Sequence, residues 1–393
     1  MGAFTRRVAR LFAATSILLL ACPLPGAASV RHAPMSVAYT PARTVGGSGG
    51  SGEAACPVGY LPSGSVRGVE LCAHATIDPP PSRDMSDGAP GERATSSTAA
   101  HLTPHCYGNG VSGNRVELLY VVRDQTAHKH AEWSPRLLSQ VVPALEGLVR
   151  VTSKTQGGEM GVRFHMPACQ LGIELVRLPA EVMAPEPDVF TQTDRIVEAL
   201  ARLGFDLSDR KYLAWIEGLP APDNRPGSPL GGLGPCGIAT GAVMESRPLP
   251  NPFDQPTATN YHDGLVPMYA LIYRSPAAAY PPFLCWGLGS TGADTELHEL
   301  FHTLGAVQLS APNSNGLAHC TDGPDVMCYP EFGKKVENRC FRSTSKVLDC
   351  NGDDYFNVAP PDGSYLSTHW NTAKSSFLGD SPLDALPFEL RRQ

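Results

Sequence analysis

Eleven cysteines constrain this chain more than any other feature. Cys22 lies in an apolar N-terminal segment, and ten more are scattered from Cys56 to Cys350. An even, dispersed set of this kind points to disulfides and an oxidising compartment. Buried free thiols are the competing reading and suit a reducing compartment. Short spacings offer Cys56 with Cys72, Cys320 with Cys328, and Cys340 with Cys350. Cys106, Cys169, Cys236 and Cys285 then pair among themselves in an order the sequence leaves open. Gly and Pro number 39 and 37, so the chain is rich in loops and is neither a coiled coil nor a helical repeat. A net charge of −7 without a basic block argues against a nucleic-acid partner.

The first residues read as an export signal. Arg6, Arg7 and Arg10 precede an apolar stretch from Leu11 to Ala21, and small residues follow at Gly26-Ala27-Ala28-Ser29. Residues 1–28 are therefore expected to be a signal peptide, and the product secreted or held at the cell surface. Leu19-Leu20-Ala21-Cys22 also matches a lipobox, which makes Cys22 a candidate lipid anchor. The apolar run is short for a transmembrane span, and no other segment approaches one, so no integral span is expected. Residues 29–105 read as a low-complexity linker or propeptide with a small disulfide-closed hairpin at Cys56–Cys72.

From Cys106 the pattern becomes globular. Val116 to Val122, Val162 to Phe164, Ile173 to Val176, Tyr212 to Ile216 and Tyr269 to Tyr273 read as strands. Pro135 to Val151 and Val189 to Leu203 carry apolar residues at helical spacing. Residues 218–265 are dense in Gly, Pro and Asn and read as a long surface loop. Ser364 to Phe377 reads as a C-terminal helix that packs Trp370 and Phe377 on the core, with His369 as a packing residue, and residues 381–393 as a tail.

The most informative segment is Thr295-Glu296-Leu297-His298-Glu299-Leu300-Phe301-His302-Thr303-Leu304-Gly305. On a helix, His298 and His302 stand at i and i+4, so both imidazoles leave one face and can share a metal ion. Glu299 lies beside them, within reach of a water on that ion. Leu297, Leu300, Phe301 and Leu304 form an apolar stripe for the core. Asp294 or Thr295 can cap the start, and Gly305 can take a positive φ and turn the chain at the end.

H-E-x-x-H-x-x-G, followed by Asp325-Val326-Met327-Cys328-Tyr329, resembles the metzincin clan of zinc metalloproteases. In that clan a methionine turn lies beneath the zinc, and some branches carry Tyr two residues after the Met, as Tyr329 follows Met327. The resemblance covers roughly residues 106–380, and its sharp part is 298–329. It implies an α+β fold: a zincin catalytic domain with a mixed sheet, long helices and a disulfide-rich C-terminal part. The clan's third ligand falls ten positions after the first His, and that position here is Gln308, an amide and a poor zinc ligand. Residues 308–318 then read as an insertion, with His319 returning as third ligand beside a Cys320–Cys328 bond. Cys320 as thiolate and Asp322 are the lesser options.

The resemblance thus implies zinc held by His298, His302 and His319, Glu299 as base, and Tyr329 as donor to the developing oxyanion. The implied activity is that of a secreted zinc endopeptidase acting on protein or peptide substrates. The alternative is a non-catalytic binding or structural protein on a degenerate metalloprotease scaffold, and Gln308 is the feature that favours it. Asp349, Asn351 and Asp353 alternate as at the start of a calcium loop. The sixth position is Asp354 rather than Gly, and residue 360 is Pro rather than Glu. An Asx-rich turn closed by Cys340–Cys350 is the simpler reading.

Overall fold

A computed structural model describes residues 61–66, 69–75, 104–186, 188–219, 235–241, 267–273, 285–288, 293–316, 318–330, 334–340 and 347–380. The expected leader, Cys22, Cys56 and the tail lie outside the described residues. Along the chain, β1 (Leu61–Val66) and β2 (Val69–Ala75) form an antiparallel hairpin. Next come β3 (Arg115–Arg123), α1 (His130–Arg136), a wider π turn (Leu137–Val141) and α2 (Val142–Thr155). β4 (Met160–Val162), β5 (Glu174–Leu178), α3 (Val189–Arg202), β6 (Arg210–Ile216), β7 (Gly237–Gly241) and β8 (Met268–Tyr273) follow. The remainder is α4 (Asp294–Thr303), β9 (Asp322–Gly323), β10 (Glu337–Asn338), α5 (Tyr365–Thr368) and β11 (Leu378–Asp380).

Seven strands form one mixed sheet in the order β1-β2-β7-β8-β6-β3-β5. β5, β3, β6 and β8 run parallel, while β7, β2 and β1 each run antiparallel to their neighbours. The parallel strands are apolar on both faces because both are covered. One face, with Leu118, Tyr120, Leu213, Trp215 and Ile272, packs with residues of α2 and α4. The other, with Leu119, Val121, Ala214, Leu271 and Tyr273, packs with Ile196, Val197 and Leu200 of α3. The chain is therefore a mixed α and β protein. Among the described residues no helix is long and apolar enough to cross a membrane.

Among the described residues four disulfides are formed: Cys106–Cys169, Cys236–Cys285, Cys320–Cys328 and Cys340–Cys350. They suit an oxidising environment.

Several elements depart from the sequence reading. The first long helix starts at His130, not Pro135. Its early turn is held by Trp133, which is buried edge-on to Trp286 at 6.2 Å and carries Arg136 over its ring at 4.7 Å. The 218–265 stretch is not all surface loop, because β7 is a buried strand within it. The hairpin at 61–75 is not set apart from the core: β2 pairs with β7 and extends the main sheet. Ser364–Phe377 is not one helix. It breaks at His369, and Asn371 then captures the Ala373 N–H with its side chain, starting a separate 3₁₀ turn. Trp370 and Phe377 are buried, and the Trp370 indole N–H donates to the Leu304 carbonyl at 2.7 Å. His369 stacks on Tyr365 with centroids 4.0 Å apart.

Candidate metal centre

α4 lies over β6, β7 and β8, and every residue from Thr295 to Thr303 is buried. Its start is Ala293, with no side-chain cap, so neither Asp294 nor Thr295 caps it. Instead Asp294 places an acidic group in the first turn, where the helix dipole favours it. At the other end Gly305 has φ +91°, and the Ala306 N–H returns to the Phe301 carbonyl at 3.0 Å. That reversal brings the Ala306 carbonyl to 2.8 Å from Nδ1 of His302.

The chain then makes an excursion from Gln308. It closes where the Val307 N–H meets the Ala318 carbonyl at 3.2 Å and the Asn315 N–H meets the His319 carbonyl at 2.7 Å. The Cys320 N–H donates to the Met327 carbonyl at 3.1 Å, and the Cys320–Cys328 bond fixes the same pair of segments. His319 is thereby held against the turn that carries Met327.

Three imidazoles converge. Nε2 of His298 lies 2.9 Å from Nε2 of His302 and 3.1 Å from Nε2 of His319, and the third separation is 3.2 Å. All three residues are buried. Nδ1 of His298 lies 2.8 Å from the Val326 carbonyl. A carbonyl oxygen only accepts, so the Nδ1 atoms of His298 and His302 carry protons, and each of these rings in its neutral form turns an Nε2 lone pair toward the other imidazoles. Converging lone pairs repel unless a cation stands among them. Two nitrogens on one tetrahedral zinc at about 2.0–2.1 Å stand about 3.3 Å apart, so the observed spacing fits a shared ion. The carbonyls behind the rings fix the tautomer in the way metal-ligating histidines require.

Glu299 is fully buried, and neither carboxylate oxygen has a hydrogen-bond partner. Burial pushes its carboxyl well above the ordinary carboxylate range. A nearby cation reverses that by favouring the charged form. The backbone of β7 lies against it: a Cβ built on Gly237 would stand 2.5 Å from Glu299 Cγ and 2.6 Å from Oε1. Tyr329 is buried with its ring centroid 4.9 Å from His298 and 5.1 Å from His319.

Gln308 is turned aside. Its amide Nε2 donates to the Gly305 carbonyl at 3.3 Å, and its buried Oε1 has no hydrogen-bond partner. Cys320 is committed to its disulfide, and Asp322 groups with Asp354 instead.

Sequence reasoning missed two supports. Gly237 had no motif to mark it, and only its neighbour Cys236 hinted at an anchored segment. Asp325 was read as part of the methionine turn, without a role. Its Oδ1 accepts the Met327 N–H at 2.6 Å and the Tyr355 hydroxyl at 2.8 Å, and its Oδ2 accepts the Cys350 N–H at 2.7 Å. Burial nevertheless pushes the Asp325 carboxyl up to about 7. It ties the turn beside His298 to the Cys340–Cys350 segment.

No protein-family model matches the chain, and no curated protein and no solved structure matches it either.

Proposed function

We propose that the chain is an exported zinc-dependent endopeptidase of metzincin type. The observation that carries the reading is the triangle of three Nε2 atoms, 2.9 to 3.2 Å on a side, on the same helix turn as a buried glutamate with no partner. A structural metal site has no use for that glutamate, and a fully solvent-excluded carboxylate without a donor is costly to keep.

His298, His302 and His319 would hold the ion, with neutral imidazoles suited to zinc. Bound there, zinc supplies a Lewis acid for a peptide carbonyl and an acidified water. Glu299 accepts the proton that the water gives up and passes it to the departing amine. Its desolvated setting, against the bare backbone of Gly237, holds the carboxylate in place and keeps bulk water out. Tyr329, packed against two of the three imidazoles, is placed to donate its hydroxyl hydrogen to the developing oxyanion. The four disulfides support an extracellular setting for this chemistry.

The test is Glu299→Ala in the full mature chain. The variant should retain one zinc per chain by elemental analysis. Its turnover of a broad peptide library should fall by about 10²–10⁴-fold. A chelator should abolish wild-type turnover. Zinc stoichiometry near zero in protein never exposed to chelator would remove the reading. Zinc bound without any hydrolysis would favour the binding-protein alternative.

A further inference from the structure

Five aspartates crowd one side of the centre, and they divide into two kinds. Asp325 and Asp349 have every oxygen occupied. Asp349 accepts from the backbone N–H groups of Asp353, Asp354, Tyr355 and Phe356, and Asp325 accepts the three bonds given above. These two are structural. Asp322, Asp353 and Asp354 each keep a buried oxygen with no partner: Oδ2 of Asp322, Oδ1 of Asp353 and Oδ2 of Asp354. Asp322 is 0 % exposed and Asp354 is 1 % exposed. The sulfur nearest Asp322 belongs to Cys328 in a disulfide and has no hydrogen to donate.

The carboxyls face each other. Asp322 and Asp354 are close enough for one to hydrogen-bond the other, and their oxygens lie within 4.8 Å. An oxygen of Asp353 lies within 4.8 Å of one on Asp354. Arg339 stands near, but its hydrogen bonds go to Glu337 and to Oδ1 of Asn313. Asn313 gives its own N–H and amide to the other oxygen of Asp354, at 2.8 and 3.3 Å, which aims the unpartnered one inward.

Buried carboxylates with empty lone pairs and no donor are unstable unless protonated or bound to a cation. Two oxygens on one calcium, each at about 2.3–2.6 Å, stand at most about 5 Å apart. We propose that Asp322 and Asp354 bind one calcium ion, which ties the strand just after His319 to the C-terminal segment. The donors are all hard oxygens, and the neighbouring sulfurs are oxidised, so a soft metal has nothing to hold. Without the ion, burial and the neighbouring acids push the Asp322 carboxyl up to about 8. The ion would replace that proton.

Full-length mature protein, dialysed into calcium-free buffer with zinc retained, is titrated with calcium chloride by calorimetry and followed by thermal unfolding. One binding event per chain is expected, with Tm raised by about 5 °C at a hundred-fold excess over Kd. Magnesium should raise it less. Asp322→Asn and Asp354→Asn should lose the binding event and the shift. The exposed control Asp362→Asn should keep both. Calcium-free Asp322→Asn should melt no lower than calcium-free wild type, because a neutral amide then stands where the wild type must keep a buried carboxyl protonated. The proposal is overturned if about 10 mM calcium gives neither heat nor a shift, or if Asp322→Asn responds like wild type. An equal response to magnesium overturns the choice of calcium. Should the variants fail to fold, terbium luminescence on wild type decides, and a lack of calcium-displaceable terbium overturns the site. These readouts do not measure hydrolysis, so their failure leaves the zinc reading untouched.

Discussion

Gly237→Ala tests whether Glu299 is held in place by the strand beside it. The added Cβ would stand 2.5 Å from Glu299 Cγ, 2.6 Å from Oε1 and 2.8 Å from Cδ, where ordinary contact begins near 3.4 Å. The closest approach must therefore open by 3.4 − 2.5 = 0.9 Å. β7 has little freedom to give way, since β8 and β2 flank it and Cys236 is bonded to Cys285. Most of the shift falls on the glutamate side chain. Displacing a catalytic group by about 1 Å costs about 10²-fold in rate, and overpacking a core costs about 1–3 kcal/mol. The three atoms nearest the added Cβ all belong to Glu299 and none to an imidazole, so zinc content should stay at the wild-type value. The assay compares kcat/KM on a cleaved peptide, zinc by elemental analysis, and Tm. A rate within three-fold of wild type at unchanged Tm would refute the reasoning, because it would mean that the carboxylate has room to spare or takes no part.

His319→Ala should weaken zinc binding by at least about a hundred-fold, whereas Gln308→Ala should leave it unchanged; competition with a zinc indicator reads both, and the reverse order would overturn the ligand assignment. Glu296 is fully buried beneath Trp215, whose indole N–H it accepts at 3.0 Å, and burial pushes its carboxyl up to about 8 from 4.5. Above pH 4.5 the unfolded chain releases this proton and the folded one keeps it, so its contribution to stability falls by about 1.4 kcal/mol per pH unit until pH 8. Denaturant unfolding of Glu296→Gln should lack that part of the decline, and parallel pH profiles would count against it. Replacing both Cys320 and Cys328 by Ser should cost about 2–3 kcal/mol from the small loop released and loosen zinc as His319 gains freedom. Unfolding and zinc titration check it, and unchanged zinc affinity would show that the backbone alone fixes His319.

Much of the central sheet was legible because β3, β6 and β8 are buried on both faces and read as unbroken apolar runs. α3 was legible from its stripe of Phe190, Ile196, Val197 and Leu200. β7 was not: Gly237-Ile238-Ala239-Thr240-Gly241 is short, flanked by glycine, and takes its strand character from its partners on either side. The C-terminal helix was over-extended because periodicity cannot register a competing side-chain cap such as Asn371. At the centre, His298, Glu299 and His302 follow from local spacing. The approach of His319 depends on how a long excursion closes, which only the backbone bonds at Val307, Asn315 and Cys320 reveal. The unpartnered oxygens of Asp322 and Asp354 were beyond any sequence pattern, since they come together from positions 32 residues apart.

The pairing of β2 with β7 bears on how this protein is to be produced. An expression boundary drawn at Cys106, where composition changes, would preserve each residue of the metal centre. It would also strip a two-stranded flap from the sheet and bare the hydrogen-bonding rim of β7, the strand that presses on Glu299. An uncovered rim invites other chains to add to it. Such a truncated product is prone to self-association and to slackness beside the glutamate, so a lack of hydrolysis by it would not count against the proposed function.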